Sequence, residues 1–444
     1  MDIKYVLFIL SSLIIFSYIF DAIARKTKFP SVILLMATGI AARAISDGLG
    51  YHIMYLEQII PVMGTIGLIL IVLEGALELK VNKNKLKIIL RGFIAALVIL
   101  LANVVGMTLF FQHYLEMDGS VAVMNAIPLA IISSAVAIPS ASALLPINKE
   151  FVVYESTFSD ILGIMMFNYS IKQFMSGGEL LGLKPLSLLF LEIGGIVVAS
   201  IFITWLLFEL FERMNTKVKF FLILALLIMV YAIGKTYHLP SLVIIFVFGL
   251  VLANADFLLP QFIKRFISMS MTEEAGLHEF HILTAESTFL VRTFFFLFFG
   301  FSITLDSFSE GFNYIYAGII LSIMMLMRFL YMVAAERRSM KSLVFISPRG
   351  LISILLFLQL QRGGEYADYG SPLINSKVLL LVILGSMLIM TIGTLAFGAS
   401  SKEKEASKDS SKVNLEEVLA EGVVQVDDAI GPVNNGSPAE DKGA

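Results

Sequence analysis

Two carboxylates, Glu155 and Asp160, stand in the stretch FVVYESTFSDILGIMMFNYSIKQF (151–174), which is otherwise apolar and long enough to span a bilayer. A carboxylate at membrane depth costs about 2.5–3.5 kcal/mol even on lenient insertion scales, so it is rarely kept without a task. Five residues of helix put the two acids ~140° apart around the axis. They therefore face different neighbours and do not share one proton as a dyad. Asp160 has Ser156 on its own face at i−4 and Ser159 beside it. A carboxylate among hydroxyl oxygens is the hard-oxygen setting that a small monovalent cation needs. Such a group can hold either a proton or a cation, and that competition is all that exchange requires.

Three arginines also lie within apolar stretches: Arg292, Arg328 and Arg349. Each must find an acid, a carbonyl or water. Glu155 faces away from Asp160 and is the natural partner for one of them. The economical reading makes Glu155 structural and Asp160 the working group. Glu74 reaches the interface near the end of its span, and Glu192 and Glu286 are explained as well by interface or cavity exposure as by a role. The five histidines show no metal spacing, and the absence of cysteine excludes disulfides, thiol chemistry and thiolate metal sites. An aspartyl intramembrane hydrolase would want two acids converging from different helices, and a serine type would want a histidine base at depth. Neither arrangement is present, so the chain reads as a non-enzyme, with no cofactor beyond the ions it would carry.

The elements that must position these groups are membrane spans. The chain is 58% hydrophobic and 15% charged, with a mean hydropathy of +0.87, outside soluble norms. Apolar runs fall at about 5–23, 29–46, 58–78, 87–113, 121–145, 151–174, 185–212, 218–236, 239–256, 279–304, 313–335, 342–361 and 375–398, thirteen in all. Ala22-Ile23-Ala24 faintly resembles a signal cleavage site, but Asp2 and Lys4 cancel before it, so the first run reads as a span. Lysines and arginines follow the odd-numbered spans (Arg25, Lys26, Lys28; Lys80, Lys83, Lys85; Arg337, Arg338, Lys341), while acids mark the even-numbered loops. That alternation predicts an N-terminus outside and a C-terminus in the cytoplasm. Residues 399–444 form a predicted disordered, acidic tail. From Ser400 on it holds five lysines against ten acids, so the rest of the chain nets −3 − (−5) = +2. Nothing suggests nucleic-acid binding.

The chain also repeats itself. Span 2 opens Phe29-Pro30-Ser31-Val32 and reaches Gly39; span 9 opens Leu239-Pro240-Ser241-Leu242 and reaches Gly249. Spans 3 and 10 end near Gly75 and Gly300, and spans 5 and 12 carry Pro139 and Pro348. Spans 1–6 and 8–13 thus read as two six-helix repeats of inverted topology, joined by span 7 as linker. Pro139 lies in a run of small and hydroxyl residues that includes Ser134 and Ser140, and Pro348 adjoins Arg349-Gly350. Proline breaks a helix, and freed carbonyls at membrane depth need a polar, protein-lined cavity. Two broken helices in matching positions are therefore expected to cross at the ion site, lined by Ser134, Pro139, Ser140, Pro348 and Arg349.

Glu155-Ser156-Thr157-Phe158-Ser159-Asp160 resembles the Glu-x-x-x-Asn-Asp signature of sodium/proton exchangers of the monovalent cation:proton antiporter superfamily, bacterial and archaeal type. Pro348-Arg349-Gly350-Leu351 with Ser353 is similar to that family's Arg-Gly segment in span 12. Arg328 matches the span-11 arginine that pairs with the span-6 glutamate. The resemblance runs in order over roughly residues 1–398. It implies an all-α polytopic protein of about thirteen transmembrane helices, a homodimer in the inner membrane, and an elevator-like motion. The moving core would be spans 87–174 and 313–398, the dimerisation scaffold spans 5–78 and 218–304, and the linker 185–212. This chain departs from the family at two places. Ser159 replaces the Asn of the Asn-Asp pair, keeping an oxygen but losing reach and an amide. Ala137-Ile138-Pro139 stands where relatives often have Thr-Asp-Pro, so one acid is absent from the crossing.

These features predict a secondary antiporter exchanging Na⁺ for H⁺, with a transient cation site of Asp160, Ser159 and Ser156 and a structural Glu155–Arg328 pair. One titratable carboxylate at the site predicts electroneutral 1:1 exchange serving pH homeostasis. Its partners would be a monovalent cation, a proton, membrane lipid and a second copy. The alternatives are K⁺/H⁺ exchange, or a transport-deficient sensor or channel-like protein on the same scaffold.

Overall fold

Runs of about twenty apolar residues can cross lipid only if their backbone groups bond within the segment, and this chain meets that demand with helices. The structure, a computed structural model, describes residues 3–27, 30–48, 56–79, 81, 85–175, 195, 198, 200–206, 220–236, 241–254, 274–303, 311–335, 343–360, 367 and 374–397. All belong to one unit, Met1–Gly398. The predicted disordered tail and most of span 7 lie outside the described residues, although 200–206 are helical.

Thirteen α-helices are described: α1 (Ile3–Thr27), α2 (Ser31–Gly48), α3 (Leu56–Glu78), α4 (Leu86–Tyr114), α5 (Gly119–Ala130), α6 (Ser134–Ser140), α7 (Pro146–Met175), α8 (Phe220–Thr236), α9 (Ser241–Ala253), α10 (Glu274–Ser302), α11 (Gly311–Ala335), α12 (Leu351–Leu360) and α13 (Ser376–Phe397). Span 5 is two of these, α5 and α6. Seven helical stretches among the described residues are long and apolar enough to cross a membrane, one of them made of α5 and α6 together. The protein is an integral, multi-pass membrane protein.

The helix α7 is not among those seven. At 30 residues it is long enough, but its acids, hydroxyls and amides make it too polar for a lipid-facing span. That polarity is tolerated because α7 is packed on α4, α5, α6 and α12 rather than exposed to lipid. Glu155, Ser156, Thr157, Ser159 and Asp160 are all buried. In contrast, α4 and α11 turn Val105, Leu109, Leu326 and Leu330 outward, as lipid-facing helices should.

The tightest packing lies where glycines let backbones approach. α2 crosses α10 at Gly39 and Gly300: a Cβ on Gly39 would meet the Leu297 carbonyl, and one on Gly300 would meet that of Met36. α9 crosses α3 in the same manner, with Gly249 against Leu73 and Ala76. Gly39 and Gly249 are the glycines that close the two Pro-Ser segments. The helices α1, α2, α3, α8, α9 and α10 thus pack on one another, and α4, α5, α6, α7, α11 and α13 do likewise. α12 lies between, touching α3, α5 and α7.

Candidate functional site

The site is built around an interruption. α5 ends at Ala130, residues 131–133 are extended, and α6 starts at Ser134. The sequence predicts this break at Pro139, and the structure corrects it. Pro139 sits inside α6, in its last turn, and the break falls six to eight residues earlier. Proline is tolerated there because the bond it removes is replaced. Its missing N–H would have served the Ala135 carbonyl one turn back, and that carbonyl accepts instead from Arg292 Nη1 at 3.1 Å. Ser140 is likewise distant from the break in sequence, and its hydroxyl donates to Val136 O at 2.9 Å.

Three backbone N–H groups at the true break find partners in other elements. Ile132 N–H donates to Ser159 Oγ (3.0 Å), Ser133 N–H to Pro348 O (2.9 Å) and Ser134 N–H to Asp160 Oδ2 (3.1 Å). At the other end, the last carbonyls of α5 are held by Arg349. Its Nε donates to Leu129 O at 2.6 Å and its Nη2 to Ala130 O at 3.1 Å. A helix C-terminus carries partial negative charge, so a guanidinium is a favourable cap.

Span 12 is interrupted in the same way. Residues 346–350 are non-helical, and α12 starts at Leu351. The interruption runs through Pro348, whose carbonyl receives Ser133 N–H, so the two non-helical segments bond directly where they meet. Arg349 is fully buried. Its Nη1 donates to the Ser347 carbonyl (2.9 Å) and hydroxyl (2.8 Å), and its backbone N–H to Ser386 Oγ at 3.0 Å. The partners of its guanidinium are thus neutral oxygens. Ser386, on α13, has no motif to announce it.

The two acids of α7 have separate surroundings. Glu155 meets Arg328 of α11 in a two-pronged bridge, Nη1 to Oε1 at 2.7 Å and Nη2 to Oε2 at 3.0 Å. Both residues are at most 1% exposed. Arg328 Nε also donates to Leu343 O at 3.0 Å, tying α11 to span 12. Asp160 is 3% exposed, and its second oxygen, Oδ1, has no hydrogen-bond partner. Ser156 donates to Val152 O at 2.7 Å, leaving its oxygen able to accept. Of the residues expected at the site, the structure gathers Ser134, Ser159, Asp160, Pro348 and Arg349 into one bonded network. Glu155 and Arg328 form a second, and Pro139 and Ser140 belong to neither.

The other embedded acids also have identifiable neighbours. Glu286 receives the Tyr18 hydroxyl at 2.7 Å. Glu74 lies beside Thr288 and Arg292 of α10. Glu192 is outside the described residues.

A multi-pass helical protein with two interrupted helices bonded to each other, and a buried carboxylate at their junction, has the architecture of an ion-coupled transporter. Comparison with known proteins agrees. Residues 10–399 match the family described as sodium/hydrogen exchanger, transmembrane, and the chain belongs to that family. The fold is that of the sodium proton antiporter MjNhaP1 from Methanocaldococcus jannaschii. Its structure at pH 8 shares 20% identity, with a TM-score of 0.63 over 89% of this chain and 95% of that one. An electron-microscopy structure of MjNhaP1 gives 21% identity and a TM-score of 0.60, over 89% of this chain and 94% of that one. No curated protein sequence matches the chain.

Proposed function

We propose that this protein exchanges Na⁺ for H⁺ across the membrane, one for one, with both competing for Asp160. The observation that carries the proposal is the state of that carboxylate. One oxygen is held by Ser134 N–H at the helix junction, and the other is buried without a partner. An ionised carboxylate in such a place is costly, and either a proton or a cation relieves that cost. Asp160 supplies the charge, and Ser159 and Ser156 supply neutral oxygens. Glu155 is already matched by Arg328, and the neutral partners of Arg349 fix the junction rather than compete for the ion.

The coupling follows from the same cost. The segment bearing Asp160 crosses between the two sides of the membrane only when the carboxylate is neutralised. Cation and proton each carry one charge to one site, so the cycle moves no net charge. Because they compete, lowering pH raises the apparent KM for the cation.

The packing supports a division of labour. α4–α7 and α11–α13 would form the moving core, and α1–α3 and α8–α10 the scaffold through which two copies pair. The equivalent crossings of α2 on α10 and α9 on α3 favour two inverted repeats. The lysine and arginine bias of the loops supports an outside N-terminus and a cytoplasmic C-terminus.

The test is antiport by the full chain in proteoliposomes, followed by a pH-sensitive dye during pulses of Na⁺, K⁺ and Li⁺. Wild type should respond to Na⁺ without generating a current, and Asp160→Asn should not respond. Wild-type exchange by Asp160→Asn would refute the assignment, and a K⁺ response exceeding that to Na⁺ would reassign the cation.

A further inference from the structure

Thr157 is 3% exposed, and its Oγ1 has no hydrogen-bond partner. Thr108, Thr204 and Ser353 share this condition, but among these four hydroxyls only that of Thr157 stands within one helical turn of Asp160 on α7. A hydroxyl residue in a helix ordinarily donates to the carbonyl one turn back. Ser156 does so to Val152, and Thr284, Thr288 and Thr391 do so to Phe280, Thr284 and Met387. Thr157 leaves a buried donor and acceptor unused, which protein interiors seldom permit without a reason.

Its position supplies the reason. Thr157 precedes Asp160 by three residues on α7, which places it about 60° away around the axis and one turn below. Side chains so spaced are neighbours, with Cβ atoms about 5–6 Å apart. Ser156 lies ~40° to the other side of Asp160. Ser156, Thr157 and Asp160 thus form one strip of oxygens, and the two unpartnered atoms of that strip are Thr157 Oγ1 and Asp160 Oδ1.

The neighbour on this side is α3, at Gly75. A Cβ there would lie 3.3 Å from Thr157 Cγ2 and 3.7 Å from Oγ1, so no Gly75 side chain covers the hydroxyl. Of the other hydroxyls beside Asp160, that of Ser134 lies against the carboxylate itself, and those of Ser159 and Ser156 each already carry one bond. Ser159 Oγ accepts Ile132 N–H, and Ser156 gives its hydrogen to Val152.

We infer that Thr157 Oγ1 is a ligand of the transported cation, the neutral oxygen that faces α3 and completes the shell begun by Asp160 Oδ1. Ser159, standing in for a longer amide, gives one lone pair to the helix junction, and Thr157 supplies a further oxygen on the side of α3. The inference rests on Asp160 being the exchange site.

The experiment compares Thr157→Val, which keeps the shape and loses the hydroxyl, with Thr157→Ser, which keeps the hydroxyl and loses the methyl. Both are reconstituted as the full chain beside Asp160→Asn, and cation titrations are read by a pH-sensitive dye. Thr157→Val should raise the apparent KM for Na⁺ about tenfold, the factor that 1.4 kcal/mol represents, with maximal rate nearly unchanged. Thr157→Ser should retain the wild-type KM. Na⁺-dependent thermal stabilisation in detergent, which needs no transport, should require correspondingly more Na⁺ in Thr157→Val. A wild-type KM in Thr157→Val while Asp160→Asn is inactive overturns this inference alone. So does an equal loss in Thr157→Ser, which would make the role one of packing. Should Thr157→Val not fold, Thr157→Ala takes its place with the same expected shift, and its wild-type Na⁺ requirement would refute the idea. Transport by Asp160→Asn overturns the underlying site and this ligand with it.

Discussion

Replacing Arg328 with methionine should be among the most damaging single changes in the core, through stability rather than chemistry. Arg328 is wholly buried, and it is joined to Glu155 by bonds of 2.7 and 3.0 Å. Removing one partner of a buried pair leaves an uncompensated charge, at a cost of about 3–5 kcal/mol. At about 2 °C per kcal/mol, the low end of the range for sizeable domains, the apparent melting temperature falls by roughly 6–10 °C. The double variant Glu155→Gln/Arg328→Met removes both charges and recovers most of that loss. It does not recover all, because the Leu343 carbonyl still lacks its donor, worth about 1 kcal/mol. The assay is size-exclusion recovery of detergent-solubilised protein after heating, applied to both single variants and the double. An Arg328→Met protein melting within 2 °C of wild type would refute the argument, and so would a double variant no more stable than Arg328→Met.

Arg349→Lys should abolish exchange and lower stability, because a single ammonium cannot span the Leu129, Ala130 and Ser347 oxygens that the guanidinium holds together; wild-type activity in proteoliposomes would exclude this. Ser159→Ala orphans Ile132 N–H and should cost about 1–3 kcal/mol, read as a lower melting temperature, whereas Ser159→Thr should cost less. Pro139→Ala returns an N–H to the Ala135 carbonyl. Arg292→Gln should then destabilise the Pro139→Ala protein less than the wild type, and equal effects in a thermal double-mutant cycle would remove the compensating role of Arg292. Gly39→Leu should prevent the α2–α10 crossing and eliminate monodisperse protein on size exclusion, since its Cβ would already collide with the Leu297 backbone.

The different standing of Glu155 and Asp160 was legible in the sequence, since helical spacing alone turns them to different neighbours. The existence of two broken helices was legible too, from prolines in apolar runs. The place of the first break was not. A proline marks where a helix may be interrupted, but the interruption occurs where extended backbone is best satisfied. At 132–134 that satisfaction comes from Ser159, Pro348 and Asp160, supplied by other spans. Pro139 could remain helical because Arg292, 157 residues beyond Ala135 in the chain, serves the Ala135 carbonyl that the proline leaves bare. Ser386 escaped notice for a related reason: one serine in an apolar helix gives no sign that it accepts a backbone N–H from another span. Thr157 was visible only as one more hydroxyl in a polar motif. That its oxygen goes unused is a property of the packed helix.

The junction of the two non-helical segments also constrains how the molecule can be made. The carbonyl of Leu129 is served by Arg349, 220 residues later in the chain. At about 5–20 residues per second, roughly 10–45 s of synthesis separate the insertion of span 5 from the arrival of its partner. During that interval the Leu129 and Ala130 carbonyls and Ser133 N–H must borrow water or translocon surface, whereas Ile132 and Ser134 N–H are served as soon as α7 is in place. A chain interrupted before span 12 would therefore carry a fifth span with three backbone groups unserved, and quality-control proteases should recognise it. The junction that would hold the ion is thus closed only late in synthesis, by residues of spans 12 and 13.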